Sequence, residues 1–295
     1  MKTKIPDALT ADVPPSHWGK VLSATPVVMT VVATMLAGLA SSEMTRAQYD
    51  RAYAAQLQSK AGDQWNYFQA KKLRGAMQRN SLELLRVSTE VRPLDMDAVE
   101  LSSGIQKATF ATMDNLLAPD PMPQFDASVK AAFDALVADK PELDLTALLK
   151  QVEDRPLAEA LNAAKERARA FDANINQVMP TFEEAEKKLA TGNKALARDF
   201  LVTRMDFNAR RYETEARLNQ TIANLYELQV RKNNITAERH HKRSQKFFFG
   251  MLAAQTAVII ATFALAARQR SLLWSLAAAA GVAAVLFAIY VYLFV

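Results

Sequence analysis

Hydrophobic positions along the chain form two kinds of pattern: uninterrupted apolar blocks and seven-residue repeats. Val21 to Ala40, Phe247 to Ala267 and Leu272 to Val295 contain no Asp, Glu, Lys, Arg or His. About twenty helical residues cover the roughly 30 Å hydrocarbon core, so each block is long enough to span a bilayer. A soluble helix of that length would carry a polar stripe, and these carry none. The pattern therefore predicts transmembrane helices at 21–40, 247–267 and 271–295. The first block also has features of a signal peptide: basic Lys2, Lys4 and Lys20 before it and a cleavage-like "MLAGLASS" at its end. Its full membrane length fits an anchor better.

Proline divides the material between the first two blocks. Residues 41–92 and 181–246 contain none, whereas 93–156 holds Pro93, Pro119, Pro121, Pro123, Pro141 and Pro156. Proline breaks helix interiors, so long helices are expected on either side of a middle made of short ones. From Leu157 the chain steps through Leu161, Ala164, Ala168, Phe171 and Ile175 to Val178 at alternating intervals of four and three, a coiled-coil seam that Pro180 is expected to stop. Thr181 with Glu184 resembles a capping box that restarts helix, and "TGN" at 191–193 reads as a turn with Asn193 as the next N-cap. The last arm has a seam at Leu196, Phe200, Thr203 and Phe207 and another at Leu218, Ile222 and Leu225. The gap between them reads as a stutter that locally unwinds a supercoil. Ala47, Ala54, Ala61 and Phe68 form a heptad in the first arm.

The expected fold is an all-α membrane protein with three transmembrane helices. An N-terminal tail (1–20) precedes the first span. A first stalk helix (41–92), an acidic Pro-rich cap of short helices (93–156), a coiled-coil helix (157–190) and a second stalk helix (192–246) follow it. The two stalk helices are expected to run antiparallel, as a coiled-coil-like pair.

In "KAGDQWNYFQAKKLR", residues 60–74, Trp65 and Phe68 share one helix face and Tyr67 lies elsewhere. Equal distances from the two membrane ends place Trp65 near Ile222 and Phe68 by Asn219, with Gly62 expected to leave room for the indole. Tyr67, Lys71 and Arg74 line an outer face that could meet another subunit or lipid. The stretch resembles the signature of the bacterial membrane family known as domain of unknown function 4337. The resemblance rests on Asp63, Gln64, Trp65, Tyr67, Phe68, Gln69, Ala70 and Lys71, together with the layout of one early span and two closing ones. It covers the two ends of the chain and leaves the Pro-rich middle unaligned. It implies a membrane location and a helical soluble part, and no activity.

Charge separates by segment. Residues 60–92 carry seven basic and three acidic side chains, 93–191 ten and eighteen, and 192–246 twelve and six, so the stalk is basic and the cap acidic. Near the span ends, nine Lys and Arg lie on the side of the long segment and five on the other, which favours a cytoplasmic stalk in a bacterial inner membrane, although the "RQR" between the last two spans argues the other way. Arg239, Lys242, Arg243 and Lys246, in "ERHHKRSQK", are candidate contacts for anionic lipid, each worth about 1 kcal/mol near such a surface.

Catalytic chemistry is hard to place. The chain has no Cys, and its three His do not assemble a metal site by spacing, since adjacent histidines on a helix point about 100° apart. No glycine-rich phosphate loop or nucleophile elbow occurs, and no carboxylate sits in an obviously apolar setting. The sequons at Asn219 and Asn234 fall in expected helix. Small residues at four-residue steps (Ser275, Ala279 and Ala283; Ala277 and Gly281; Ala253, Ala257 and Ala261) suit close helix packing, either among the three spans or between copies. The expectation is a membrane-anchored helical scaffold or interaction protein, self-associating and without catalytic activity, cofactor, nucleic-acid partner or small-molecule substrate. Its candidate packing and interaction residues are Trp65, Tyr67, Phe68, Gln69, Lys71 and Ile222. The alternative is an oligomeric pore or tension-responsive channel, for which Gln255, Thr256 and Thr262 are the available polar lining.

Overall fold

The structure is a computed structural model that describes residues 17–118, 124–266 and 270–294. Eight helices occur among them, with no strand: α1 (His17–Ser88), α2 (Met96–Ser103), α3 (Lys107–Leu117), α4 (Ala127–Val137), α5 (Glu142–Leu149), α6 (Asp154–Gly192), α7 (Lys194–Ala266) and α8 (Arg270–Phe294). The tail up to residue 16, Pro119, Pro121, Pro123 and Arg268 lie outside the described residues. Three helices contain stretches long and apolar enough to cross a membrane: α1, α7 and α8.

The chain forms two compact units, residues 1–52 with 234–295 and residues 53–233, and α1 and α7 contribute to both. In the first unit, α1, α7 and α8 pack through small residues. Ala254 and Ala257 of α7 and Ala284 of α8 are buried with Met29 and Ala33 of α1, while Leu36, Phe247 and Val291 form a neighbouring cluster. Of the two small-residue registers on α8, Ala277 and Gly281 face inward and Ser275, Ala279 and Ala283 face outward. Gly281 approaches α1 so closely that a Cβ there would lie 2.8 Å from the Met29 sulfur.

In the second unit α7 is the central helix. Phe182, Phe200, Phe207 and Phe110 form one aromatic cluster, with ring centroids 5.0 to 6.2 Å apart, that joins α3, α6 and α7. Burying each such ring contributes about 1.5–3 kcal/mol. The short helices are locally encoded. Asp95 caps α2 by accepting from the Asp97 and Ala98 N–H groups, and Gly104, at φ 78°, ends it in the left-handed region. Asn193 accepts from the Ala195 and Leu196 N–H groups and starts α7 at the expected residue.

Three expectations need correction. Pro180 does not stop the helix: α6 runs through it to Gly192, so the capping box at Thr181 has no helix to restart. The carbonyl deprived of its partner is that of Asn176, and both Asn176 and Pro180 are exposed, so water can satisfy the orphan while Ile175, Phe182, Ala185 and Leu189 continue the buried stripe behind. The first arm ends at Ser88, four residues short of 92. Gly62 makes room for nothing, since a Cβ there would have no atom within 4 Å; at Gly75, by contrast, a Cβ would lie in ordinary contact, 3.5 Å from Tyr212 Cβ and the Ala209 carbonyl oxygen.

Candidate functional site

In the second unit α1 and α7 are antiparallel, with Lys71 at Glu215, Gly75 at Tyr212 and Arg79 at Glu213. The motif around Trp65 lies on this contact. Trp65 and Phe68 are both half-buried and meet edge to face at 5.4 Å between centroids. The indole N–H donates to Glu227 Oε1 at 2.7 Å, so the ring reaches beyond the level of Ile222, which is buried on α7. Lys71 is not an outer-face residue: it pairs with Glu215, which is 3 % exposed and also takes Arg211 at 2.6 Å. Tyr67, Gln69 and Arg74 remain exposed.

Beside this pair lies a pocket of about 260 Å³ lined by Gln64, Tyr67, Lys71, Asp172 and Asn219 among others. Gln64 Oε1 is buried there without a partner. Partial burial, followed by repulsion from Glu215, holds the Asp172 carboxyl above the ordinary carboxylate range, with Lys71 and Arg211 opposing. Asp172 itself is an exposed residue, so this shift carries little energy.

The first unit contains a second buried carboxylate. Glu43 Oε2 accepts from His240 Nδ1 at 2.5 Å, and its Oε1 lies 3.7 Å from both Arg46 and Arg243. His240 Nε2 is 3.9 Å from Asp50, Arg51 lies 3.7 Å from Glu238, and Ser244 donates to the Ala40 carbonyl at 2.7 Å. His240 thus faces α1, and Arg243, whose side chain is 19 % exposed, lies beside Glu43. Lys242 is exposed near Glu238, Lys246 lies 5.6 Å over the Tyr290 ring, and Arg239 is exposed. Among the described residues no group of His, Asp or Glu is arranged to hold a metal. Thr256 and Thr262 spend their hydroxyls on carbonyls of their own helix, and Gln255 is exposed among Leu252 and Ile259.

Both carboxylates escaped sequence reasoning for one reason. A step of four back from Ala47 reaches Glu43 and a step of three on reaches Asp50, and the eleven-residue stutter in α7 is filled by Arg211 and Glu215 at steps of four. Reading only apolar positions hid the polar members of each seam. A further stripe was missed on the outside of α1. Leu73, Met77, Asn80, Leu84 and Val87 step by four and three, and the four apolar members are 59 to 88 % exposed, whereas Gly75, Gln78, Leu82 and Leu85 form the inward stripe.

No curated protein and no solved structure matches the chain. Glu215 and Glu227, which receive Lys71 and Trp65, lie beyond the stretch that a family comparison recognises. That stretch, residues 18–112, which holds the apolar run and the Asp63–Lys71 motif, matches the family described as domain of unknown function DUF4337.

Proposed function

We propose that the protein is a membrane-anchored helical scaffold that associates with further copies of itself, with α1 and α7 as the stalk, α2 to α5 as the cap, and a bacterial inner membrane as its location with the helical part in the cytoplasm. The observation that carries this reading is the outward stripe at Leu73, Met77, Asn80, Leu84 and Val87. It has the spacing of a coiled-coil seam, and a single polar residue within such a seam selects register and strand number at some cost in stability. Two heptads are marginal for free helices, but copies confined to one bilayer meet at high effective concentration. Among the described residues no constellation of nucleophile, base and oxyanion donors accompanies the stripe, and the reading rests on the stripe itself.

The chain has no Cys, so Leu84→Cys introduces a unique thiol. Oxidation in native membranes should convert most of this variant to disulfide-linked dimer, and adding Leu73→Glu and Met77→Glu should abolish the product. A purified chain that sizes as a monomer, with no linked product in membranes, would remove the basis for the proposal.

A further inference from the structure

Methionine is unevenly exposed in this chain. Nine of its eleven methionines lie among the described residues, and of these only Met35 and Met77 are exposed, at 65 and 59 %. Met35 belongs to the membrane-length apolar run 21–40, so Met77 is the one exposed methionine among the described residues outside those runs. It stands within the outer stripe of α1, four residues after Leu73 and three before Asn80. Leucine, the residue at 73 and 84, would fill the position equally well by volume, and what methionine adds there is an oxidisable sulfur.

We propose that Met77 is a reversible oxidation site that controls the pairing of copies along this stripe. The inference rests on the self-association proposed above and supplies its regulation. The oxidant is hydrogen peroxide. A lone pair of the thioether sulfur attacks one peroxide oxygen and the O–O bond breaks. The attacked oxygen stays on sulfur as the sulfoxide and passes its proton to the other, which leaves as water. Sulfur gives up two electrons and the peroxide accepts them. The product is a polar side chain where the seam requires an apolar one, and a thiol-dependent sulfoxide reductase restores the thioether. Pairing encloses the sulfur between two helices, so peroxide acts on separated chains and holds them apart. Burying a polar group without a partner in the seam should weaken association roughly tenfold.

The test uses full chains carrying a donor or an acceptor fluorescent protein at the C terminus. Energy transfer between them is measured in native membranes across a range of expression levels, and oxidation at residue 77 is followed by peptide mass spectrometry. In the wild type, apparent affinity should fall roughly tenfold as Met77 gains one oxygen, and it should recover on adding methionine sulfoxide reductase with a thiol. Met77→Leu should pair as the wild type does and keep pairing in peroxide. Met77→Gln, polar without oxidation, should start roughly tenfold weaker, with helix content unchanged by circular dichroism because the side chain lies on the exposed face. An untreated wild type with no transfer above a non-associating membrane protein would remove the self-association reading and this inference with it. Transfer that survives full oxidation of Met77, an equal loss in Met77→Leu, or wild-type transfer in Met77→Gln would overturn the inference alone.

Discussion

Replacing Glu215 by Gln keeps the side chain's shape and removes its charge, leaving Lys71 and Arg211 facing one another across a neutral amide. Those cations are 24 and 18 % exposed, and Glu215 is 3 % exposed. Removing one partner of a fully buried ion pair costs about 3–5 kcal/mol. Here both cations keep some surface in water, which screens their repulsion, so the expected loss is about 2–3 kcal/mol. Lys71→Met should cost less, about 1 kcal/mol, because Glu215 retains Arg211 at 2.6 Å. Combining the two removes one of the facing cations, so the double variant should be more stable than additivity predicts, by about 1 kcal/mol. Glu213→Gln is the control. It breaks a pair with Arg79 in which the side chains are 41 and 54 % exposed, and it should shift stability by less than about 0.5 kcal/mol. Urea unfolding in detergent followed by far-ultraviolet circular dichroism reads all four chains. If Glu215→Gln unfolded with the wild type, or lost no more than Glu213→Gln, the claim that this carboxylate organises the α1–α7 contact would be refuted.

Other substitutions test separate parts of the fold. Gly62→Ala meets no atom and sits mid-helix, so it should raise unfolding free energy by about 1 kcal/mol in the same assay. Pro180→Ala restores an N–H to the Asn176 carbonyl and should stabilise α6 by about 1–3 kcal/mol, visible as a higher thermal midpoint and slower amide exchange around Asn176. Because Asp172 has a raised folded pKa, the native state holds its proton more tightly than the unfolded chain. Its contribution to stability is therefore greatest at acid pH and is lost as pH rises through the folded value. Asp172→Asn should leave stability at acid pH unchanged and raise neutral-pH stability by at most a few tenths of a kcal/mol, given the exposure of the group, so the variant loses slightly more than the wild type on acidification. A variant that lost less stability than the wild type on acidification would contradict the assignment.

The long apolar blocks and the heptads were legible in the sequence because each repeats one simple requirement many times. Leu157, Leu161, Ala164, Phe171 and Ile175 are among the buried residues of α6, and Ala47, Ala54 and Ala61 among those of α1. Asn193 was legible as a cap because its side chain acts on N–H groups two and three residues away. Pro180 misled because the cost of an interior proline depends on whether the orphaned carbonyl meets water, which is a tertiary fact. Gly62 misled in the opposite way: its lack of a side chain was read as space for Trp65, yet the indole turns to Glu227. The pairing of Glu43 with His240 and the outer stripe of α1 each depend on which face a partner helix covers. A charged or polar residue in a repeat looks the same on paper whether it is solvated or enclosed.

The placement of those enclosed charges bears on how the two long helices find their alignment. Seams of alanine such as Ala47, Ala54 and Ala61 are nearly smooth, and sliding one helix by a heptad against such a seam would leave apolar burial little changed. The polar pairs are not indifferent to that slide. Within the first unit, moving α7 by one heptad would separate Glu43 from His240 and Ser244 from the Ala40 carbonyl. Within the second, it would separate Lys71 from Glu215 and Trp65 from Glu227. Each separation strands a buried or half-buried group at about 1–3 kcal/mol. Several such penalties outweigh any loss of alanine contact, so the polar residues select the register while the apolar ones supply the cohesion. The Asp63–Lys71 motif acquires a physical role on this argument: its Trp65 and Lys71 read two glutamates twelve residues apart on α7, and a helix of the wrong alignment offers neither.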